Sequence, residues 1–539
     1  LNRSIFIMDY LLTTIFIGFV RVSVRYYYST LKSKPVFSNK KKTKLLLLGA
    51  GNTGEKITRE ILATYPNEFE LIGFLEDDIR KQGASIHGIP ILGKMREIES
   101  ISIPYDEILI TAPSSTTEQM RQIVELCEKT GKRFRTIPSF SELIQNQVSI
   151  KDIREVSILD LLGREEIKLD KQSIKNFFGG KRILITGAGG SIGSELCRQI
   201  LKIKPKLLVL YEISEVSLYL IEQELINDFE RERIKTVLGN VCDKDRVKEV
   251  CEQFGVNTIY HAAAYKQVPM VEMNTLQSFE NNVFGTLNCA LAALETRVET
   301  FVLVSTDKAV RPTSFMGATK RFAELILQAL SDQQSKSSSK SGIKFTIVRF
   351  GNVLGSSASV VPLFREQIEK GGPVTVTDPE VVRYFMSITE SAELVIQAGS
   401  LAKGGEVFLL DMGEPIKIFE LAEKMIRLSG LERYNPETKE GDIEITFSGL
   451  RDGEKLYEEL LIGNDATETR HELIFKANEE RLEWKEIERL IEEFKEAVQD
   501  RNEKGVHDLL IGSISGYKPH SGLKDLIYIS KEGHKDLKD

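Results

Sequence analysis

The sequence predicts an α/β protein with two doubly wound nucleotide-binding units in series. The second unit is the larger and carries a smaller C-terminal substrate-binding part. Three observations lead there. Two glycine-rich turns, at Gly49-x-Gly51-x-x-Gly54 and at Gly187 to Gly193, each follow a short apolar strand and open a helix. In both, acids stand near the end of the next apolar run, Glu76 to Asp78 in the first and Glu212 in the second. After the second turn, further strand-like runs fit one parallel sheet.

The first turn sits in KLLLLGAGNTG (44–54), and the strand-like runs Leu71–Leu75, Glu107–Thr111 and Arg133–Ile137 follow it. No acid–base pair follows this unit. It is expected to serve structure or regulation, with its ligand left open.

The second turn lies in KRILITGAGGSIGSELCRQIL (181–201). Gly187, Gly190 and Gly193 let the backbone turn tightly and approach a pyrophosphate, and the helix start at Ser191 and Ile192 supplies unpaired N–H groups. Glu212 ends the run beginning at Lys206 and can accept from ribose hydroxyls. A carboxylate there repels a 2′-phosphate, so NAD is favoured over NADP. Asn240 and Val241 end the run Thr236–Leu238 and are placed to hold adenine. Ala262 and Ala263 follow Thr258–Tyr260 where a cofactor passes closely, and His261 is expected to pack against the sheet. The last two runs of the sheet are Phe301–Val304 and Phe345–Val348.

Composition narrows the partners. Of 72 basic and 79 acidic residues, nine and one lie within 1–44, leaving 63 against 78 in the body. An acidic body argues against nucleic acid. Five cysteines without paired spacing and six histidines point to reduced, buried thiols and to no metal site. The run Ile5–Val20 is mostly apolar, and eight basic residues follow between Arg21 and Lys44. With Leu1 in place of an initiator methionine, the run is read as the remnant of a truncated membrane anchor, its basic flank on the cytoplasmic face.

Five segments are therefore expected: anchor remnant and basic linker 1–44, first unit 45–140, linker 141–178, catalytic unit 179–512 and a loose polar tail 513–539. Within the catalytic unit, SKSSSKS (335–341) is expected to be a flexible insertion, and Ile487, Leu490, Ile491, Phe494 and Val498 one face of a docked helix.

Past Val304 come Thr306, Asp307 and Lys308, with Lys320 twelve residues further. A hydroxyl, a carboxylate and an amine in succession, beyond the carboxyl end of a strand, can stabilise an alkoxide, donate a proton and remove one. Composition alone favours a plainer reading, a capped loop with an exposed ion pair.

The stretches TGAGGSIGSE (186–195), HAAAYKQVPMVE (261–272), VSTDKAVRPTSFMGATKR (304–321), RFGNVLGS (349–356), RYFMSI (383–388) and LRDGEKLYEEL (450–460) resemble one family. It is the extended short-chain dehydrogenase/reductases, and within them the UDP-N-acetylglucosamine 4,6-dehydratases of bacterial glycan and polysaccharide synthesis. The chain as a whole is similar to the long, membrane-anchored, PglF-like and CapD-like members.

That resemblance implies NAD as cofactor and UDP-N-acetylglucosamine as substrate, a site on the cytoplasmic face of the bacterial inner membrane, and a homo-oligomer of unspecified size. It implies that C4 is oxidised, water is lost across C5–C6 and hydride returns to C6. Lys308 is then the base at C5, Asp307 the acid at the 6-hydroxyl, Thr306 a partner of the 4-oxygen and Lys320 a holder of the nicotinamide ribose. Lys266, Asn352, Arg383, Arg451 and Glu454 correspond to nucleotide-sugar contacts. Met316 occupies the place where the superfamily has the tyrosine of Tyr-x-x-x-Lys, as in the long members, which implies retention at C5. Asp307, or water relayed through Thr306, is left to take the 4-hydroxyl proton. As a base, Lys308 needs a pKa well below about 10.4, with burial beside the cofactor as the means. A UDP-hexose 4-epimerase and a non-catalytic nucleotide-binding scaffold are the alternatives.

Overall fold

A computed structural model describes residues 12–21, 42–137, 154–155, 169–336, 342–357, 359–459 and 466–535. The chain divides into two compact units, Leu1–Leu161 and Leu162–Asp539. Much of the expected anchor and basic linker, most of the linker 141–178 and the insertion's residues 337–341 lie outside the described residues.

In the first unit, β1 (Thr43–Leu48), β2 (Phe69–Leu75), β3 (Ser85–Ile86), β4 (Ile89–Gly93), β5 (Glu107–Ile110), β6 (Arg133–Thr136) and β7 (Arg154–Glu155) form one sheet. Its order is β3-β4-β2-β1-β5-β6-β7. The five strands from β4 to β6 are parallel and the two edge strands antiparallel. β1 is buried from Leu45 to Leu48, as a central strand covered on both faces must be. The helix Asn52–Thr64 follows its turn and buries Ile57 and Ile61 on the sheet. Residues 12–21 are helical, with Leu12, Ile15, Phe16 and Phe19 exposed. Among the described residues no helix is long and apolar enough to cross a membrane.

In the second unit, β8 (Arg182–Thr186), β9 (Leu207–Glu212), β10 (Ile234–Leu238), β11 (Thr258–His261), β12 (Thr300–Thr306) and β13 (Lys344–Phe350) lie parallel in the order β10-β9-β8-β11-β12-β13. The sheet continues through the parallel strand Glu406–Leu410 and the antiparallel strands Ile474–Ala477 and Ala466–Glu468. A separate apolar core covers each face. One holds the helices Gly285–Glu295, Phe315–Lys336 and Trp484–Gln499; the other holds Ser191–Lys202 and Ile388–Leu401. The stripe Ile487, Leu490, Ile491, Phe494 and Val498 is buried in the first of these.

Register positions the chemistry. His261, the last residue of β11, pairs with Leu303, so β12 runs on through Val304 and Ser305 to Thr306. That overhang carries Thr306, Asp307 and Lys308 past the neighbouring strand end. Small two-stranded sheets, Asn352–Val353 with Phe385–Met386 and Val382–Arg383 with Ile416–Lys417, build the opposite wall.

Two segments expected to be unstructured are packed. Within the expected linker, Lys171–Phe178 is a helix capped by Asp170, and Ile174 and Phe178 join the catalytic unit's core. In the expected loose tail, Tyr517 is buried, and Lys518 N–H donates to Pro312 O at 3.0 Å. Asp525 accepts from Thr275 N–H and Thr275 Oγ1 at 2.7 Å each, then leads into the helix Leu526–Lys535. Both segments are too short to show a period in the sequence, and a few long-range contacts hold each of them.

Candidate functional site

The second glycine turn is shaped by close approach. Gly187 has φ +67°, and a Cβ there would lie 2.7 Å from Ala263 N; one at Gly193 would overlap the Gly187 carbonyl oxygen. The helix Ser191–Lys202 starts directly after, with Gly190 as its N-cap, so its first N–H groups face outward. Glu212, at the end of β9, accepts from Gly189 N–H at 2.9 Å and from Ile213 and Ser214 N–H at 3.0 Å. A carboxylate offers about four acceptor positions, so one remains for a ligand hydroxyl.

Two cavities open at the carboxyl ends of the strands. The smaller, about 320 Å³, is lined by Gly187 and Gly190, Glu212, Asn240 and Val241, and Ala262 and Ala263. The larger, about 870 Å³, begins at Gly190, Ser191, Ile192 and Gly193 and runs past Thr306, Asp307, Lys308, Met316 and Lys320. Its far wall holds Lys266, Asn352, Arg383, Arg451 and Glu454. Every residue selected from the sequence therefore faces one of these two adjoining spaces. Glycines a Cβ would block, outward N–H groups and an acid beside the smaller space fit a dinucleotide. His261 is instead packed, within 2.8 Å of Thr186 Oγ1 and 3.1 Å of Thr286 Oγ1.

The cluster beyond β12 is dense. Thr306 Oγ1 donates to Asp307 Oδ1 at 2.9 Å. Lys308 Nζ donates to Asp307 Oδ1 at 3.2 Å, Asn352 Oδ1 at 3.1 Å and Glu458 Oε1 at 2.6 Å. Glu458 also accepts from Asn352 Nδ2 at 2.9 Å and lies 3.2 Å from Arg383 Nε. Arg383 reaches Glu454 Oε1 at 2.8 Å, and Arg451 is exposed at the mouth. Glu458 was not selected from the sequence. It sits inside LRDGEKLYEEL, where only its place in the fold separates it from its neighbour Glu459.

These contacts set the charges. Burial pushes Glu458 up, the Asp307 carboxylate adds to it, and its pKa reaches about 7 despite Lys308 and Arg383. Asp307 is held low: burial opposes ionisation, but the Lys308 charge, the nearby Glu458 carboxyl and the Thr306 and Lys308 hydrogen bonds outweigh it. Lys308 departs from expectation. Burial acts to lower it, yet Asp307 and Glu458 together raise it above the ordinary lysine value, so it is an ammonium ion in this arrangement. Lys320 moves the other way, to about 8, because burial dominates; its Nζ donates to Val304 O at 2.8 Å.

In the first unit Glu76 holds Ala50 N–H at 2.8 Å, the counterpart of Glu212 and Gly189, but Lys81 Nζ sits 3.2 Å from both Glu76 Oε2 and Ala50 O.

A parallel sheet of this order, a glycine turn at its centre and an acid–lysine cluster beyond β12 define a domain of the short-chain dehydrogenase/reductase type. Residues 183–479 match the family model described as "Polysaccharide biosynthesis protein", and the chain belongs to that family. Residues 1–138 match a model described as "CoA-binding domain". The chain is 43% identical over 424 residues to the capsular polysaccharide biosynthesis protein CapD of Staphylococcus aureus, covering 78% of this chain and 69% of that protein. It is 42% identical over 454 residues to the probable polysaccharide biosynthesis protein EpsC of Bacillus subtilis (strain 168), covering 83% and 73%. A UDP-glucose 4-epimerase of Rickettsia rickettsii (strain Sheila Smith) is 32% identical over 288 residues, covering 53% and 78%.

Proposed function

We propose that the second unit is an NAD-dependent hydro-lyase that removes water across C5–C6 of UDP-N-acetylglucosamine, giving the 4-keto-6-deoxy sugar nucleotide with retention at C5. One observation carries this reading: Lys308 bonds both the Asp307 and Glu458 carboxyls in the large cleft, which Met316 also lines where the superfamily has a tyrosine. Redox at C4 alone needs no such cluster. Elimination needs an acid and a base together.

Gly187, Gly190 and Gly193, with Glu212, Asn240 and Lys320, would hold NAD; bound there, it supplies a reversible store for one hydride. The chain's own residues do the rest. Arg383 and Arg451 suit the diphosphate, because a guanidinium bonds two oxygens at once. Thr306 presents its hydroxyl to the sugar 4-oxygen, and Asp307 delivers a proton to the departing 6-hydroxyl. The names of the two polysaccharide-biosynthesis relatives agree with a sugar-nucleotide product.

The test is mass analysis after incubation with UDP-N-acetylglucosamine. A product lighter by one water is expected. The likeness to a UDP-glucose 4-epimerase favours a second reading, in which the product keeps the substrate's mass. Bound cofactor with unchanged substrate would leave a nucleotide-binding scaffold. We further propose attachment at the cytoplasmic face of the inner membrane through the apolar run Ile5–Val20, tested by whether the protein sediments with membranes.

A further inference from the structure

Lys308 as found is an ammonium ion, and a base at C5 must be a neutral amine. Asp307 as found is ionised, and an acid at the 6-hydroxyl must carry a proton. Relocating one proton meets both demands. We infer that Glu458 takes the Lys308 ammonium proton when the sugar fills the cleft, leaving a neutral amine beside two protonated carboxyls. The inference rests on the dehydratase reading.

The geometry provides the route. Lys308 Nζ and Glu458 Oε1 are 2.6 Å apart, and the Glu458 side chain is only 3% exposed. Asp307 Oδ2 is fully buried and meets no hydrogen-bond partner among the described residues, while Lys308 Nζ bonds both Asp307 and Glu458 and ties the two carboxyls to one cluster. Two buried carboxyls that influence each other's ionisation are held stably when they share one proton. The cluster thus already holds two exchangeable protons, one on Lys308 and one in the carboxyl pair.

The count closes for the elimination step, and over the whole turnover the proton released from the 4-hydroxyl at C4 oxidation balances the one returned to C5 when hydride adds at C6. The Lys308 N–H bond breaks as the Glu458 O–H bond forms, and the proton of the pair settles on Asp307. In the elimination the C5 proton bonds to the Lys308 nitrogen, and the C5–H electron pair becomes the C5–C6 double bond. The C6–O bond breaks, and its oxygen leaves as water with the Asp307 proton. Lys308 is then an ammonium ion, Asp307 a carboxylate and Glu458 an acid, the charges from which the cluster began.

Desolvation drives the relocation. An ammonium–carboxylate pair loses more than its neutral form when a sugar displaces water from the cleft. Asn352 holds both ends, donating to Glu458 and accepting from Lys308. Arg383 opposes the transfer by favouring the Glu458 anion. Lys455 and Glu459 on the same loop, and Lys266 toward Lys308, complete the charged surroundings. Glu458 acts through Lys308 and Asp307, so it is a positioning residue.

Glu458→Gln removes the proton site and keeps an acceptor for Lys308, though its NH2 can no longer accept from Asn352 Nδ2. With UDP-N-acetylglucosamine, kcat is expected to fall at least ~100-fold with KM within ~3-fold. C4 oxidation should survive, so near-ultraviolet absorbance of reduced nicotinamide accumulates and persists. The wild-type kcat should decline as pH rises through about 7, and that limb should vanish in E458Q. Glu458→Asp should recover part of the rate and the limb. An E458Q enzyme at near wild-type rate overturns the inference, as does a slow one with the limb intact, while wild-type dehydration leaves the parent reading standing. A wild-type enzyme that releases no water overturns that reading, and this inference with it.

Discussion

The Glu212 carboxylate accepts the Gly189 backbone N–H at 2.9 Å, locking the end of β9 to the glycine turn. The same carboxylate holds the Ile213 and Ser214 amides, so one side chain shapes both the turn and the space beside it.

Glu212→Ala leaves three backbone donors without this acceptor. Stability should fall by about 1–3 kcal/mol, the cost of unmet polar groups at a mostly buried site. Affinity for NAD should fall at least ~10-fold, because the ribose partner is lost as well. Urea unfolding and a fluorescence titration with NAD measure the two effects separately. Unchanged affinity would remove Glu212 from the cofactor site.

Gly193→Ala places a methyl against the Gly187 carbonyl oxygen, where backbone must shift to admit it. We expect a loss of about 1–3 kcal/mol from overpacking and a protein that no longer retains cofactor through purification. Thermal unfolding and the absorbance of the released nucleotide report the two effects.

Asp307→Asn keeps the shape of the cluster but removes the proton donor. Turnover should drop at least ~100-fold while NAD affinity stays within ~2-fold, since no cofactor contact is assigned to Asp307. Product formation at undiminished rate would end its role as acid.

Arg349 and Glu324, both fully buried, are paired at 2.5 Å, and Glu324 also accepts from Ser305 Oγ at 2.6 Å. Glu324→Gln leaves the buried Arg349 and Arg321 sharing the single Glu479 carboxylate and should cost about 3–5 kcal/mol. Burial alone would raise Glu324, but Arg349 and Arg321 hold it near 2, below its ordinary 4.5. A depressed folded value contributes full stability above pH 4.5, lost progressively as pH falls toward 2. Acid unfolding of the wild type should steepen across that window, and E324Q should lose that contribution.

Asp525→Ala leaves Thr275 N–H and its hydroxyl without their acceptor. A loss of about 1–3 kcal/mol is expected. Because the neighbouring Lys518 braces Pro312, next to the reacting loop, hydrogen exchange at 310–315 should also quicken. Exchange unchanged there would separate the C-terminal segment from the site.

The two glycine turns, the strand-end acids and the central strands were legible in the sequence because each follows from a local rule. A strand covered on both faces must be continuously apolar, a tight turn beside a phosphate needs glycine, and a helix start offers free N–H groups. Thr306, Asp307 and Lys308 were legible for the same reason, as three polar residues directly after such a strand. Lys171–Phe178 and the segment around Asp525 were not, since the few contacts that hold them reach across long stretches of chain.

The amino-acid order by itself determined which residues are candidates for the chemistry: a glycine turn that suits a nucleotide, a Thr-Asp-Lys run directly after a strand and a methionine in the place of the Tyr-x-x-x-Lys tyrosine. Only the tertiary structure decided the charge on that chemistry. Glu458, 150 positions beyond Lys308, comes within 2.6 Å of it, and together with the adjacent Asp307 it overrides the burial that would otherwise make the lysine a base. Protonation is set by what lies next to a group in space, and spacing along the chain does not encode that.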